Sequence, residues 1–202
     1  MISTIVFDYG GVIEIKDRDL IQDIAEYLNI TKEKWNEVYY TLNHLCNTGE
    51  KSGNEVLCMT ADKIGVSSEQ LSHIKNIIAE SKNNRRINTE LIEIIKELKK
   101  RDYKIGLLSN NSIKLRQKLV DQDIMHLFDE VIMSSEVGYQ KPQPEIFELV
   151  LNRFGIQADE LIFVDDTEKS LEGAEKIGYT PILYTDNDKL KTDISLICKI
   201  VI

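Results

Sequence analysis

Four short stretches carry side chains suited to work on one ligand. They are Asp8 in Phe7-Asp8-Tyr9-Gly10-Gly11-Val12, then Ser109-Asn110-Asn111, then Lys141-Pro142, then Asp165-Asp166. Three carboxylates drawn to one place repel one another and raise each other's pKa. A divalent cation with oxygen ligands relieves that repulsion, and Mg2+ commonly binds through one or two carboxylates plus a substrate phosphate. A lysine acting as a point charge, and a Ser/Asn pair beside helix N-terminal amides, suit a phosphate oxyanion. Each stretch also has an ordinary reading. An Asp after a strand forms a loop or caps a helix, Asp165-Asp166 suits the cap of a helix starting near Glu168, and a lone lysine is a solvated charge. Everything depends on whether the fold brings the four together.

The elements around them point that way. Thr4–Phe7, Lys104–Leu108, Glu130–Met133, Leu161–Val164 and Thr180–Tyr184 are short apolar runs rich in β-branched residues, the pattern of buried parallel strands. Helical stripes follow from the second strand onward. Phe147, Val150, Leu151 and Phe154 recur at helical spacing, as Leu91, Ile94, Ile95 and Leu98 do before the second strand. Gly155 and Gly178 stand where helices end, and Pro144 suits a first turn. Strand alternating with helix predicts an α/β fold with a parallel sheet and helices on both faces. In such sheets the ligand sits beyond the carboxyl ends of the strands, which is where all four stretches fall.

One region breaks the alternation. Ile21, Ile24, Ala25 and Leu28 form a helical stripe, Trp35, Tyr39 and Tyr40 suit a second helix, Asn54–Ile64 a third, and Ser67 with Gln70 reads as a capping box for a fourth. Residues 15–85 are therefore expected to form an all-helical insertion into a core of residues 1–14 and 86–202, with Asn83-Asn84-Arg85-Arg86 as the hinge back. Trp35, Tyr39 and Tyr40 are expected in the insertion's own core. His44, Cys46, Cys58 and His73 have no spacing that suits a compact zinc site.

Composition narrows the function classes. At 202 residues the chain can bury roughly 70% of its unfolded surface without disulfides or structural metal. Lys plus Arg number 25 against 34 Asp plus Glu, a net charge of −9 that argues against nucleic-acid or anionic-membrane partners. No apolar run approaches a membrane span, and Asp8 interrupts the N-terminal stretch, so a cytoplasmic protein is expected. Three scattered cysteines, Cys46, Cys58 and Cys198, make no disulfide framework.

The ordered set Ile5-Val6-Phe7-Asp8-Tyr9-Gly10-Gly11-Val12, Leu107-Leu108-Ser109-Asn110, Lys141-Pro142-Gln143-Pro144 and Phe163-Val164-Asp165-Asp166 resembles the four motifs of the haloacid dehalogenase superfamily, whose members are mostly phosphatases. The resemblance runs the length of the chain, and the insertion after the first motif looks like the family's helical cap of the first type. It implies a Rossmann-like core and Asp8 as a nucleophile that forms an aspartyl-phosphate. Ser109, Asn110 and Lys141 are implied as phosphate-binding residues. Mg2+ is implied on the Asp8 carboxylate, the Gly10 backbone carbonyl and Asp166, with Asp165 beside it or behind. The implied substrate is a small phosphate ester.

One position departs from the pattern. The usual family phosphatase has a second aspartate two residues after the nucleophile, acting as general acid and then base. Gly10 stands there. The Asp-x-Gly form resembles the branch containing sugar-1-phosphate phosphatases, in which a readily departing anomeric oxygen needs less help. Glu14, Tyr9, a cap residue or water are the candidate substitutes for the acid. Thr48-Gly49-Glu50-Lys51-Ser52 resembles the cap turn that family members point at the substrate, while Arg18 and Arg85-Arg86 read as a solvated face. Two other functions stay open: a phosphate- or partner-binding protein that has lost turnover, and a metal-free 2-haloacid dehalogenase, which the Asp165-Asp166 pair argues against.

Overall fold

The computed structural model describes residues 1–16, 18–81 and 85–202. In chain order the elements are β1 (Thr4–Phe7), β2 (Glu14–Lys16), α1 (Leu20–Leu28), α2 (Lys32–Leu42), α3 (His44–Asn47), α4 (Gly53–Ile64), α5 (Ser68–Ser81), β3 (Arg85–Ile87), α6 (Thr89–Lys100) and β4 (Lys104–Ser109). The chain continues through α7 (Lys114–Asp121), β5 (Glu130–Met133), α8 (Ser134–Val137), α9 (Pro144–Phe154), β6 (Leu161–Asp165), α10 (Glu168–Leu171), α11 (Ala174–Ile177), β7 (Thr180–Leu183) and α12 (Asn187–Cys198). It divides into two compact units, Met1–Ile15 with Ile87–Ile202, and Lys16–Arg86.

The first unit is built on a five-stranded sheet in the order β5-β4-β1-β6-β7, with every neighbouring pair parallel. Successive side chains of a strand point to opposite faces, and here both faces are apolar. Ile5 and Phe7 join a cluster with Leu91, Ile95, Leu119 and Leu190 from α6, α7 and α12. Val6 joins another with Phe147, Val150 and Phe154 from α9. The sheet is thus covered on both sides in a Rossmann-like layer arrangement, which is why its strands read as unbroken apolar runs. Gly106 in β4 lets the layers close. A Cβ there would lie 2.8 Å from both Val6 Cγ2 and Phe154 Cζ.

Local signals set the helix ends. The Asn88 side chain accepts from Leu91 N and starts α6. Pro144 opens α9, and Gly155 ends it with φ of 66°, a backbone region in which glycine carries no Cβ penalty.

The second unit packs α1, α2, α4 and α5 around Leu20, Ile24, Trp35, Leu57, Ala61, Ile74 and Ile78. Ser52 and Glu55 form a reciprocal capping box at the start of α4, and Ser67 and Gln70 do the same before α5. Trp35 is wholly buried and Tyr39 packs against that core, but Tyr40 points outward. Arg18 pairs with Asp23 at the surface.

One feature differs from the expectation of an all-helical insertion. Its ends are strands, because β2 and β3 pair as a two-stranded ribbon. Strands of three residues are too short to show a period of two, so no pattern marks them. The short helix α3 lies within the insertion besides the four helices the sequence predicts. Of the hinge stretch, Asn83 and Asn84 lie outside the described residues, while Arg85 and Arg86 belong to β3.

Candidate active site

The sheet order places β1 in the centre and reverses direction between β1 and β6, the position at which open parallel sheets bind ligands. Asp8 follows β1, and its backbone N–H donates to Val164 O at 2.9 Å. That bond sets Asp8 level with Asp165, the last residue of β6. Ser109, buried, ends β4 on the other side of β1.

Lys141 ties these ends together. Its Nζ donates to Asp8 Oδ1 at 2.7 Å and to Asp165 Oδ2 at 2.5 Å, and all three residues are buried. Burial pulls the lysine's pKa down, but the Asp8 and Asp165 carboxylates outweigh it and hold the ammonium above its ordinary value. Burial pushes Asp165 up to about 6 against the pull of Lys141, with Asp8 adding to the rise. Burial, then the charge of Asp8, raises Asp166 as well. This is the frustrated cluster expected of three converging acids.

Asp8, Asp165 and Asp166 each offer an oxygen within 4.8 Å of the others. The two motif-four acids are not equivalent. Asp165 has both oxygens engaged, Oδ2 by Lys141 and Oδ1 by Thr167 N at 2.9 Å. Asp166 meets Thr167 Oγ1 at 3.3 Å, and its Oδ2 lies only 2.0 Å from where a Cβ on Gly11 would stand. Its carboxylate therefore presses on the turn after Asp8. A hard oxygen donor set of this kind, in surplus negative charge, fits Mg2+.

Asn110 reaches across to the Lys141 loop. Its Nδ2 donates to Lys141 O at 3.0 Å and its Oδ1 accepts from Lys141 N at 2.8 Å. The side-chain amide thus holds the lysine's backbone beside Ser109.

The turn after Asp8 is closed by its own backbone. Glu14 N donates to Tyr9 O at 2.7 Å and Gly11 N donates to Glu14 O at 2.8 Å. At Gly10 a Cβ would meet only Asp8 Oδ2, at 3.9 Å, so the place of the usual second acid is open. Two candidate substitutes for that acid are engaged elsewhere. Tyr9 Oη lies 3.2 Å from Glu14 Oε1 and 3.0 Å from Gln122 Oε1, its one proton serving either, and Lys118 Nζ donates to Glu14 Oε1. Lys118, Gln122 and Asn88 escape sequence reasoning, being polar residues of ordinary helices that meet the turn only in three dimensions. Asn88 Nδ2 donates to Val12 O at 3.2 Å and to Tyr184 Oη at 2.8 Å, and Asn88 N donates to Ile13 O at 2.9 Å.

A family model described as haloacid dehalogenase-like hydrolase matches residues 5–183. The chain belongs to that family. Among curated relatives, the glyceraldehyde 3-phosphate phosphatase of Methanothermobacter thermautotrophicus is 38% identical over 89 residues, 43% of this chain and 39% of the relative. The chain thus spans about two fifths of the length of that relative. A solved HAD-like family hydrolase from Porphyromonas gingivalis superposes with a TM-score of 0.68 at 22% identity, covering 98% of each chain. A HAD family enzyme from Bacteroides thetaiotaomicron, solved with magnesium and inorganic phosphate, gives 0.61 at 24% identity over 94% of this chain and 99% of that one. These likenesses establish the shared fold. Among the described residues, no helix is long and apolar enough to cross a membrane.

Proposed function

We propose that this protein is a Mg2+-dependent phosphatase that takes phosphate from a small phosphorylated metabolite, of which sugar phosphates are the leading class, through an aspartyl-phosphate on Asp8. The observation that carries the reading is the junction of Lys141 with Asp8 and Asp165, with Asp166 completing an oxygen-donor cluster within 4.8 Å. The named activity of the methanogen relative and the magnesium and phosphate bound in the Bacteroides enzyme support it.

In this reading an Asp8 oxygen attacks phosphorus, the ester oxygen leaves with the bond electrons, and water then attacks the acyl-phosphate to restore Asp8. Splitting the hydrolysis in this way replaces one difficult step by two easier ones. Lys141, held in place through Asn110, answers the negative charge that gathers on the equatorial oxygens. Ser109 and the amides at the start of α7, where Ile113 gives no side-chain cap, are the remaining phosphate donors. Asp8, the Gly10 carbonyl and Asp166, with Asp165 behind, would hold Mg2+, which when bound would supply further charge neutralisation at the phosphoryl group.

Phosphate release from sugar phosphates, nucleotides and p-nitrophenyl phosphate, with and without Mg2+, tests this. Mg2+-dependent release is expected. Silence across the panel, combined with Mg2+-dependent binding of a phosphate mimic, would favour a binding protein without turnover. The open space at Gly10 sharpens the expectation about leaving groups. General acid–base groups contribute typically about 10²- to 10⁴-fold, so Gly10→Asp is expected to raise kcat/KM on unactivated alkyl phosphates and to change p-nitrophenyl phosphate little. Equal effects on the two substrates would show that the missing acid is not the defect.

A further inference from the structure

Position 14 holds a buried carboxylate that the proposed reaction does not use. Glu14 follows the wholly buried Val12 and Ile13, and its own side chain is only 5% exposed. It accepts from Lys118 Nζ, and Tyr9 Oη lies 3.2 Å from its Oε1 and 3.0 Å from Gln122 Oε1. The Lys118 ammonium also stands 5.4 Å from the centre of the Tyr9 ring. Lys118 and Gln122 belong to α7 and its C-terminal cap, the helix that follows the Ser109-Asn110 loop. The carboxylate is buried while the Lys118 ammonium is part-exposed, and a pair that takes a carboxylate out of water for a solvent-screened partner is seldom a net source of stability. Its presence calls for a role other than holding the core.

The backbone supplies that role. Glu14 is joined to the turn on both sides, N–H to Tyr9 O and C=O from Gly11 N, and pairs with Gly10 in an isolated bridge. Wherever Glu14 is held, Gly10 and Gly11 follow. The Gly10 carbonyl is an implied cation ligand, and Gly11 lies against the Asp166 carboxylate. We propose that Glu14 is a positioning residue: anchored on α7 by Lys118 and Tyr9, it fixes the Gly10-Gly11 turn and with it the cation-binding geometry. The inference rests on the metal-dependent reading above.

The test is Mg2+ binding by titration calorimetry on the substrate-free protein, with thermal unfolding alongside. Partners behind direct metal ligands typically change affinity about 10- to 100-fold when removed. Glu14→Gln and Lys118→Met are therefore expected to weaken Mg2+ binding about 10-fold or more, Tyr9→Phe less, and Lys118→Arg to recover most of the affinity. Lys118 is more than one-third exposed, so its variants keep the test alive should Glu14→Gln fail to fold. A lowered unfolding temperature with Mg2+ affinity unchanged within twofold in Lys118→Met would overturn the proposal and leave the network a purely structural one. Asp166→Asn separates the two levels. If it weakens binding while Lys118→Met does not, only this inference falls. If neither variant weakens binding, the metal-dependent reading falls with it.

Discussion

Asp8→Asn is expected to abolish phosphate release while leaving a folded protein. Loss of the nucleophile in a covalent mechanism costs on the order of 10⁴- to 10⁶-fold in kcat. The amide is nearly the size of the carboxylate, so packing at the end of β1 is preserved. Lys141 loses one charged partner but keeps Asp165 at 2.5 Å, and no uncompensated ammonium is left buried. The expected pattern is thus a kcat near background beside an unfolding temperature close to that of the unaltered chain. A phosphate-release rate within tenfold of the original would mean that another group attacks phosphorus.

Gly11→Ala is the second large effect. Two separate costs meet at this residue. Its φ of +85° lies where a side chain is strained, and a Cβ there would stand 2.0 Å from Asp166 Oδ2 and 2.4 Å from its carboxyl carbon. A contact that short forces the Asp166 carboxylate or the turn to move. Displacing an oxygen donor should weaken Mg2+ binding about 10- to 100-fold, with activity falling in step at limiting Mg2+. Gly10 is the built-in comparison. Its Cβ would meet nothing closer than Asp8 Oδ2 at 3.9 Å, so Gly10→Ala should disturb Mg2+ binding far less. Titration of Mg2+ into the two variants measures the contrast, and equal effects would refute the placement of Asp166 against the turn.

Much of this arrangement is legible in the residues alone. The strands of a doubly covered parallel sheet are continuous apolar runs, so Thr4–Phe7 and Glu130–Met133 coincide with β1 and β5. Asp8 and Asp165-Asp166 follow directly because strand ends in such a sheet share one edge. Side-chain pairings between distant parts of the chain are not legible in this way. The Asn110 amide grips the backbone of Lys141, a pairing across 31 positions that no local pattern encodes. Glu14 and Lys118 are 104 residues apart, and each taken alone is an ordinary charged residue. Tyr40 resembles Trp35 and Tyr39 in type, but neighbours in a helix are turned about 100° from one another, and it faces outward.

In the proposed reaction Asp8 itself carries the phosphoryl group. The most direct measurement mixes excess protein and Mg2+ with a phosphorus-labelled substrate drawn from the panel. The reaction is quenched in acid within milliseconds, and the peptide bearing the label is mapped. Mg2+-dependent label is expected on the Asp8 peptide, appearing before free phosphate and decaying as phosphate is released. Phosphate released at the full rate with the Asp8 peptide unlabelled, or label fixed on another residue, would contradict that role of Asp8.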